Sequence, residues 1–378
     1  MASGAASKIF KVTIETGCWK DSNGILNREP ITLAQKVFHG DSEEEAQDLF
    51  RGEREIHFRI AQHPTRHKNL VHCLGSLEKD KELSLWFPLA SGNLEDLLTG
   101  QIPWRGSLSD IFRCAAALCS GLDHLVRGLT SNGTQVIGYH MDFRPQNVLL
   151  DGDEWKVADF SLTKLRDRKP ESDTTLQWTT DRRGEGAYVP PEAISEGRVC
   201  APSDLWSLAA VLIEVLTFAV GGHQLINDFR KARRTNEGHD MFFVLGGDTV
   251  IVSPQVSQWC EYLPKLADHQ DAVFGKAVKE VLQFLQHKLL LVDVKRRGET
   301  RAIDASVMLD KVSVVLKQAG TPMPRAYLSV SAMLLSMQND SLEPSINNAK
   351  MSTVPGTSTT HVRLKRPGIW TRLACFRP

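Results

Sequence analysis

The sequence predicts an α+β fold in which a small β-rich region comes first and a larger helical region follows. Strand-like runs rich in β-branched and aromatic residues lie within residues 8–38 and again within 70–89. From Asn93 onward apolar residues recur mainly at helical spacing, as far as a last helix at about Ala302–Gln318. After Gly320 this periodicity fades and polar residues dominate, which predicts a disordered tail. We therefore expect three parts, with boundaries at 1–87, 88–318 and 319–378.

Composition excludes several classes of protein. The chain has 378 residues with 45 Lys+Arg and 45 Asp+Glu, so no overall charge favours nucleic acid or a membrane surface. Its seven cysteines are scattered without a metal-ligand spacing, which indicates reduced thiols and no structural zinc. The N-terminal residues lack the apolar core of a secretory signal. We expect a cytoplasmic or nuclear monomer that binds no nucleic acid.

In the β-rich region, two strand-like runs, IFKVTI and ITLAQKVF, flank a turn with DSNG at 21–24. Two more, LVHCLGSL and ELSLWFPL, flank a charged turn. Between the pairs, Ser42 with Glu45 predicts the capped start of a helix. One face of that helix is apolar except for Glu53; its other members are Ala46, Leu49, Phe50, His57 and Ile60.

The helical region contains LEDLL, then IFRCAAALCSGLDHL, then the most apolar stretch of the chain at Leu205–Gly222. This last stretch is nearly long enough to span a membrane, but Glu214 lies inside it and an intramembrane carboxylate is costly. We therefore expect a buried helix and no transmembrane segment. Residues 228–250 mix charges with glycine and predict a loop-rich insertion.

The strongest motif is His140-Met141-Asp142-Phe143-Arg144-Pro145-Gln146-Asn147, followed by Asp159-Phe160-Ser161. Here the chain resembles the eukaryotic protein kinases, whose catalytic loop reads H-R-D-x-x-x-x-N and whose metal site reads D-F-G. The resemblance implies that Asp142, beside Arg144, accepts the proton of the substrate hydroxyl. It also implies that Asn147 and Asp159 supply oxygen ligands to Mg²⁺.

The resemblance implies an ATP site as well. Lys36 in LAQK matches the phosphate-binding lysine, and Glu53 matches its partner on the helix, because a carboxylate on an apolar face needs a buried cation. Glu55 competes for this role but lies off the apolar face. The remaining positions implied to contact ATP, with the linker between lobes at 87–91, are Gly4, Ser7, Ile9, Ala34, Phe87, Leu89, Ala90 and Leu149.

A third set of residues separates protein kinases from small-molecule kinases. It comprises Val189-Pro190-Pro191-Glu192, Ser203-Asp204-Leu205-Trp206-Ser207 and Arg301. The resemblance implies a platform for a protein substrate and a buried ion pair between Glu192 and Arg301. It covers residues 4 to about 318 and predicts a two-lobed fold.

The chain also departs from the family pattern. In the stretch that matches the glycine-rich loop, only Gly4 remains, and no residues precede it, so we expect a small lobe without its first strand. Ser161 replaces the glycine of D-F-G. Met141 replaces the arginine that grips an activation-loop phosphate, although Ser172, Thr174, Thr175, Thr179 and Thr180 lie in that segment. Glu185 replaces a threonine beside the catalytic aspartate and places a negative charge there.

Three functions remain open on the sequence. An active Ser/Thr kinase is favoured, because each residue that handles metal or proton is present. A nucleotide-binding pseudokinase or scaffold is the alternative, on the grounds of Glu185 and the incomplete glycine-rich loop. A small-molecule phosphotransferase is disfavoured by the third motif set. The basic end of the tail, 361–378, is either solvated or a weak anchor for a membrane surface or an acidic partner.

Overall fold

The computed structural model describes residues 7–324, with gaps at 20–24, 64–65, 80–81, 132–133, 168–175, 181–183, 235–239 and 247–248. The chain begins with an antiparallel sheet in the order β1-β2-β4-β3. Its strands are β1 (Ser7–Ile14), β2 (Ile31–Phe38), β3 (Gly75–Lys79) and β4 (Glu82–Pro88). Strand β2 pairs with β1 on one side and with β4 on the other, so Lys36 lies in an inner strand.

Helix α1 (Glu43–Gln62) crosses this sheet. The Ser42 hydroxyl accepts a hydrogen bond from the Glu45 N–H, as the capping pattern predicts. Three acidic residues in the first turn favour the positive end of the helix dipole. The predicted apolar face is buried except for the half-buried Leu49; it includes Glu53 at 1% exposure, and Ile56 is also buried on it. The helix therefore carries a carboxylate into the core.

The rest of the described chain is mainly helical. Its helices are α2 (Leu94–Leu98), α3 (Leu108–Asp123), α4 (Pro191–Ser195), α5 (Ala201–Arg233), α6 (Pro254–Gln270), α7 (Ala272–Phe284), α8 (Val294–Gly298) and α9 (Ala302–Ala319). Its short strands are β5 (Gly92–Asn93), β6 (Thr130–Ser131), β7 (Thr134–Tyr139), β8 (Val148–Asp151), β9 (Glu154–Val157), β10 (Lys164–Asp167), β11 (Phe243–Gly246) and β12 (Thr249–Val252). A β-rich beginning followed by a helical region confirms the predicted fold class.

Helix α5 is the buried centre of the helical region. It is long and apolar enough to cross a membrane, but 94% of its most apolar window is buried inside the protein. Glu214, in its interior, is fully buried and accepts from Arg230 at 2.6 Å, Arg233 at 3.3 Å and the Tyr188 hydroxyl at 2.8 Å. At Gly222 the backbone leaves the helical region, with φ 66° and ψ −162°, so two helices meet there at a kink.

The predicted loop-rich insertion at 228–250 is wrong in part. Helix α5 continues to Arg233, and β11 and β12 form an antiparallel hairpin from Phe243 to Val252. The charged residues of this segment suggested a solvent-exposed loop. In the structure Arg230 and Arg233 bind the buried Glu214, so they belong to the helix.

The six cysteines in the described part of the chain are free thiols, as predicted. Burial raises the pKa of the Cys114, Cys200 and Cys260 thiols to about 12. These thiols are therefore protonated and behave as small apolar side chains. The DSNG turn and nearly all of the predicted tail, including its basic end, lie outside the described residues.

Candidate active site

Lys36 lies at the centre of the candidate site. Its Nζ donates to both carboxylate oxygens of Glu53, at 2.8 and 2.7 Å, and to Oδ1 of Asp159 at 2.8 Å. Burial opposes the charge of Lys36, but the two carboxylates hold its pKa above its usual value. The pairing of Lys36 with Glu53 is therefore present, and Glu55 instead pairs with Arg59 on the surface.

A cleft of about 640 Å³ opens beside Lys36. Seven of the positions predicted to contact ATP line it: Ile9, Ala34, Lys36, Phe87, Leu89, Ala90 and Leu149. Glu53 and Asp159 lie at its polar end. Ser7 begins β1 but is not among the lining residues, and Gly4 lies outside the described residues. An apolar cleft with a few convergent charges is the usual form of a small-molecule site.

Asp142 is held by the end of its own loop. The Asn147 Nδ2 donates to the Asp142 carbonyl at 2.8 Å and to its Oδ2 at 2.9 Å. Arg144 Nε lies 4.0 Å from Asp142 Oδ1. Burial raises the pKa of Asp142 to about 7, although Arg144 and Asn147 oppose the shift. A carboxylate with this pKa can both accept and release a proton near neutral pH.

The backbone ahead of Asp142 is fixed by Asp204, a contact that sequence reasoning missed. The Asp204 carboxylate accepts from the His140 N–H at 2.7 Å and the Met141 N–H at 2.9 Å. Met141 has a φ of 65°, which costs energy for a residue other than glycine. Through these two hydrogen bonds Asp204 stabilises the strained backbone at Met141. The sequence analysis singled out Asp204 as part of the substrate platform and not as a support for this loop.

A second cavity, of about 410 Å³, is lined by Asp142 and Arg144. Gly184 lines it and approaches so closely that an added Cβ would lie 2.0 Å from Asp142 Oδ1. The Gly184 N–H also donates to the Met141 carbonyl at 2.9 Å. Glu185 is exposed and lines the same cavity as Asp142. The segment around Gly184 is thus packed directly against the loop that carries Asp142.

Within the activation segment, the structure describes two of the candidate phosphate acceptors. Thr179 is buried and its Oγ1 accepts from Arg166 at 2.8 Å, whereas Thr180 is exposed. Ser172, Thr174 and Thr175 lie outside the described residues. Met141 replaces the arginine expected near this segment, but Arg166 places a different cation beside Thr179.

The predicted ion pair between Glu192 and Arg301 is wrong. Glu192 binds Arg297, whose Nη2 lies 2.6 Å from Glu192 Oε1, and both side chains are buried. Arg301 instead binds Asp123 at 2.5 Å, at the C-terminal end of α3, and Arg301 itself is half-exposed. The two arginines are one turn apart across a helix break, so sequence alone could not decide which one turns inward.

Asn147 and Asp159 fit a divalent cation by the chemistry of their atoms. Asp142 takes both hydrogen bonds from the Asn147 amide nitrogen, which leaves the carboxamide oxygen as the available donor to a metal. Burial opposes ionisation of Asp159, but Lys36 holds its pKa well below the usual range, so it is a carboxylate. Hard oxygen atoms of this kind suit Mg²⁺. No cluster of three His, Cys, Asp or Glu residues for a metal occurs in the described chain.

The model of the protein kinase domain matches residues 23–304, about three quarters of the chain. The chain belongs to the protein kinase family. This kinase is 34% identical, over 40% of its length, to LEAF RUST 10 disease-resistance locus receptor-like protein kinase-like 2.1 of Arabidopsis thaliana, covering 23% of that protein. It is 28% identical, over 57% of its length, to the probable serine/threonine-protein kinase PBL28 of the same plant, covering 52% of that protein.

A third relative is the L-type lectin-domain containing receptor kinase IX.1 of Arabidopsis thaliana, 32% identical over 51% of the kinase and 28% of that protein. The kinase therefore spans less than a third of the length of each of these two receptor-like relatives. The prediction of a cytoplasmic or nuclear protein is contradicted, because several relatives are receptor-like kinases, a membrane-associated class. A protein kinase domain uses ATP with a divalent metal and acts on protein substrates.

Proposed function

We propose that this kinase transfers the γ-phosphoryl group of ATP, with Mg²⁺, to Ser or Thr side chains of protein substrates. The observation that carries the proposal is that Asp142 lines one cavity, while Lys36 and Asp159 line the other. Asp142 lies beside Arg144 in one cavity, and Asn147 joins it to the loop that leads to Asp159 in the other. A proton acceptor and a phosphate-binding cation are thus available to one reaction.

Each role follows from the chemistry of the side chain. Asp142 accepts the proton of the substrate hydroxyl, and Arg144 balances charge beside it. Lys36 binds phosphate oxygens while Glu53 keeps it directed into the cleft. Phe87, Leu89 and Leu149 supply apolar contacts to the base, with Ile9, Ala34 and Ala90 on the walls. Gly4 and Ser7 belong to the proposed phosphate cover.

Asn147 and Asp159 would hold Mg²⁺. When both are bound, ATP supplies the phosphoryl group, and the ion supplies positive charge that offsets the negative charge of the phosphate oxygens. Asp159 has a φ of 62°, so its carboxylate is carried on a strained backbone at the cleft. Within the same proposal, residues 1–87 form the small lobe, 88–318 the linker and the large lobe, and 319–378 a basic tail.

A pseudokinase is the second candidate, and Glu185 favours it. Its carboxylate lines the cavity of Asp142, where a substrate hydroxyl would approach and the transferring phosphoryl group carries negative charge. In this alternative the chain binds ATP but transfers phosphate slowly. The Ser/Thr specificity is itself part of the proposal.

The deciding experiment compares phosphoryl transfer with nucleotide affinity. Radiolabelled ATP and a generic protein substrate are supplied to the wild type, Asp142→Asn and Asp159→Asn. Asp142→Asn is expected to lower the rate at least about 10²-fold with unchanged affinity for Mg-ATP, because it removes only the proton acceptor. Asp159→Asn is expected to impair both the rate and the affinity.

Asp153→Asn is the matched control, since that carboxylate is 85% exposed in the turn after β8. It should leave the rate and the affinity unchanged. A wild type that binds ATP but transfers no faster than Asp142→Asn would establish the pseudokinase.

A further inference from the structure

Helix α9 carries apolar side chains on its solvent-facing side. It packs one face against α3 and α7. On the other side Val307, Val314 and Val315 are 50%, 52% and 48% exposed. Val307 and Val314 are two helical turns apart, so they lie on one line along the helix, and Val315 lies beside them. We call these three residues the valine stripe.

The helix itself does not explain valine at these positions. Valine is a poorer helix former than lysine or glutamine, because its branched side chain loses rotamer freedom in a helix. Other exposed positions of α9 carry charged residues, as expected for a solvated surface; examples are Asp310, Lys311 and Lys317. A row of exposed apolar side chains on one helix face instead indicates a contact surface.

The chain leaves α9 close to this stripe. Gly320 has a φ of 64°, and its N–H and that of Thr321 donate to carbonyl groups of the last turn, Thr321 to Leu316 at 3.1 Å. These bonds form a Schellman turn, which ends the helix and directs the chain away from the helix axis. Thr321 is buried and Pro324 is half-buried, so the chain stays against the protein as far as it is described.

The segment that follows has the composition of a buried segment. Residues 326–337 read AYLSVSAMLLSM, which contains no charged residue and is apolar except for its serines. Only Arg325 separates this segment from Pro324. Its residues span about 18 Å even if they are helical, and the valine stripe spans about 12 Å along α9. The segment can therefore reach the whole stripe.

We propose that residues 326–337 dock on the valine stripe of the same chain. The apolar side chains of the segment cover the three valines, so both surfaces are removed from water. The short connection favours this segment over a second copy or a separate protein, because it gives the segment a high effective concentration at the stripe. The contact does not depend on the proposed function.

Hydrogen exchange of the full chain, followed by mass spectrometry, tests the docking directly. In the wild type the amides of 326–337 should exchange at least about 10-fold more slowly than in Val307→Gln/Val314→Gln, which removes their apolar partner. Ile251→Gln is the matched control, because Ile251 is 49% exposed on β12, and it should leave this exchange unchanged. Equal exchange of the segment in the wild type and in Val307→Gln/Val314→Gln would overturn the proposal.

Thermal unfolding gives a second measurement, in which the expected effect depends on the tail. With the natural tail, Val307→Gln/Val314→Gln should lower the Tm by about 1–3 °C, because the segment loses its contact. In a chain that also carries Leu334→Ser/Leu335→Ser, the same pair should leave the Tm unchanged or raise it, because glutamine is the better helix former. Equal changes of the Tm with both tails would contradict the docking.

The exchange measurement also separates other occupants of the stripe. Protection of 326–337 should be the same at different protein concentrations and in about 0.5 M NaCl, because the contact is intramolecular and uncharged. Protection that falls on dilution would assign the stripe to a second copy of the chain. Protection that is lost in salt would assign the contact to charged residues such as those of 361–378. Either result would overturn the proposal.

Discussion

Asp142 illustrates how the environment of one residue sets a pH range. Its carboxyl is buried and close to Asp159 and Asp204, and these effects together outweigh Arg144 and Asn147 to raise its pKa to about 7. The neighbouring His140 is fully buried, which lowers its pKa to about 4 and keeps it neutral. Asp142 is therefore the group of this loop that titrates near neutrality.

We expect the rate of phosphoryl transfer to fall as the pH drops through about 7, because a protonated Asp142 cannot accept the substrate proton. The measurement is kcat/KM between pH 5.5 and 8.5. Arg144→Met should move this limb to higher pH, since the guanidinium lowers the pKa of Asp142. A profile that is flat across this range would contradict the assignment of Asp142 as the base.

The same raised pKa has a consequence for stability. The folded state prefers protonated Asp142, so the contribution of this group to stability is complete below its ordinary pKa of 3.8 and is lost as the pH rises to about 7. Asp142→Asn should therefore increase the free energy of unfolding at pH 8 by about 1–3 kcal/mol, and much less at pH 4. Denaturant unfolding at the two pH values measures this. An equal change at both would contradict it.

At the scale of elements, two arginine contacts of different burial connect the end of the chain to earlier helices. Arg297 of α8 binds Glu192 of α4, and neither side chain is more than 2% exposed. Arg301, before α9, binds Asp123 of α3 but is 46% exposed. The two ion pairs have similar distances but contribute differently to the free energy of unfolding, because desolvation penalises a buried charge that loses its partner.

Arg297→Met is expected to lower the free energy of unfolding by about 3–5 kcal/mol, because it leaves the buried Glu192 without its cation. Arg301→Met is the comparison variant and should cost less, about 1–2 kcal/mol, because Arg301 is half-exposed and the Ile303 N–H still donates to the buried Asp123. Denaturant unfolding measures both. Pairing Arg297→Met with Glu192→Met should recover part of the loss, and equal costs for the two single variants would contradict this account.

The kink in α5 gives a second prediction at this scale. Gly222 has a φ of 66° and a ψ of −162°, a conformation that favours glycine. Gly222→Ala is expected to cost about 1–3 kcal/mol of unfolding free energy, although no atom obstructs the added methyl group. Gly52→Ala, inside α1 with equally open space, should instead stabilise by about 0.5–1 kcal/mol. If both variants lost stability, the cause would be the packing of the added methyl group and not the backbone conformation of Gly222.

The sequence predicted a helix or strand correctly where a periodic apolar pattern or a capping residue marks it. Helix α1 and the buried position of Glu53 could be predicted because one carboxylate interrupts an apolar face. The partner of Glu192 could not be predicted, because Arg297 and Arg301 are both plausible in sequence and only packing selects between them. His57 was placed on the buried face, but its unpaired nitrogens depend on side chains from distant elements. Predictions for residues outside the described chain, including Gly4 and the tail, stay predictions.

At the scale of the whole molecule, one apolar core joins the sheet to the helices. A continuous set of buried side chains runs from Phe38 and Leu85, through Phe160 of the candidate site, to α5 and Leu316 of α9. Lys36 of β2 also binds Asp159, 123 residues later in the chain. The site therefore lies on the core that connects the two regions.

We expect residues 7–324 to unfold in a single cooperative transition, because no boundary divides this core. Calorimetry should give a calorimetric enthalpy equal to the van't Hoff enthalpy for the principal peak. Leu85→Ala in the sheet and Leu316→Ala in α9 should lower the same Tm. Two transitions that respond separately to these variants would contradict the prediction.

The burial of α5 has a consequence for how the protein is made. Its apolar surface is covered partly by α6 and α8, which follow it in the chain and end at Gln270 and Gly298. At the usual rate of synthesis α6 is complete about 2–7 s after α5, and α8 about 3–13 s after it. During that interval the ribosome-bound chain displays a helix apolar enough to cross a membrane, without the partners that later enclose it. The nascent chain is therefore prone to aggregation until α6 and α8 have covered this helix.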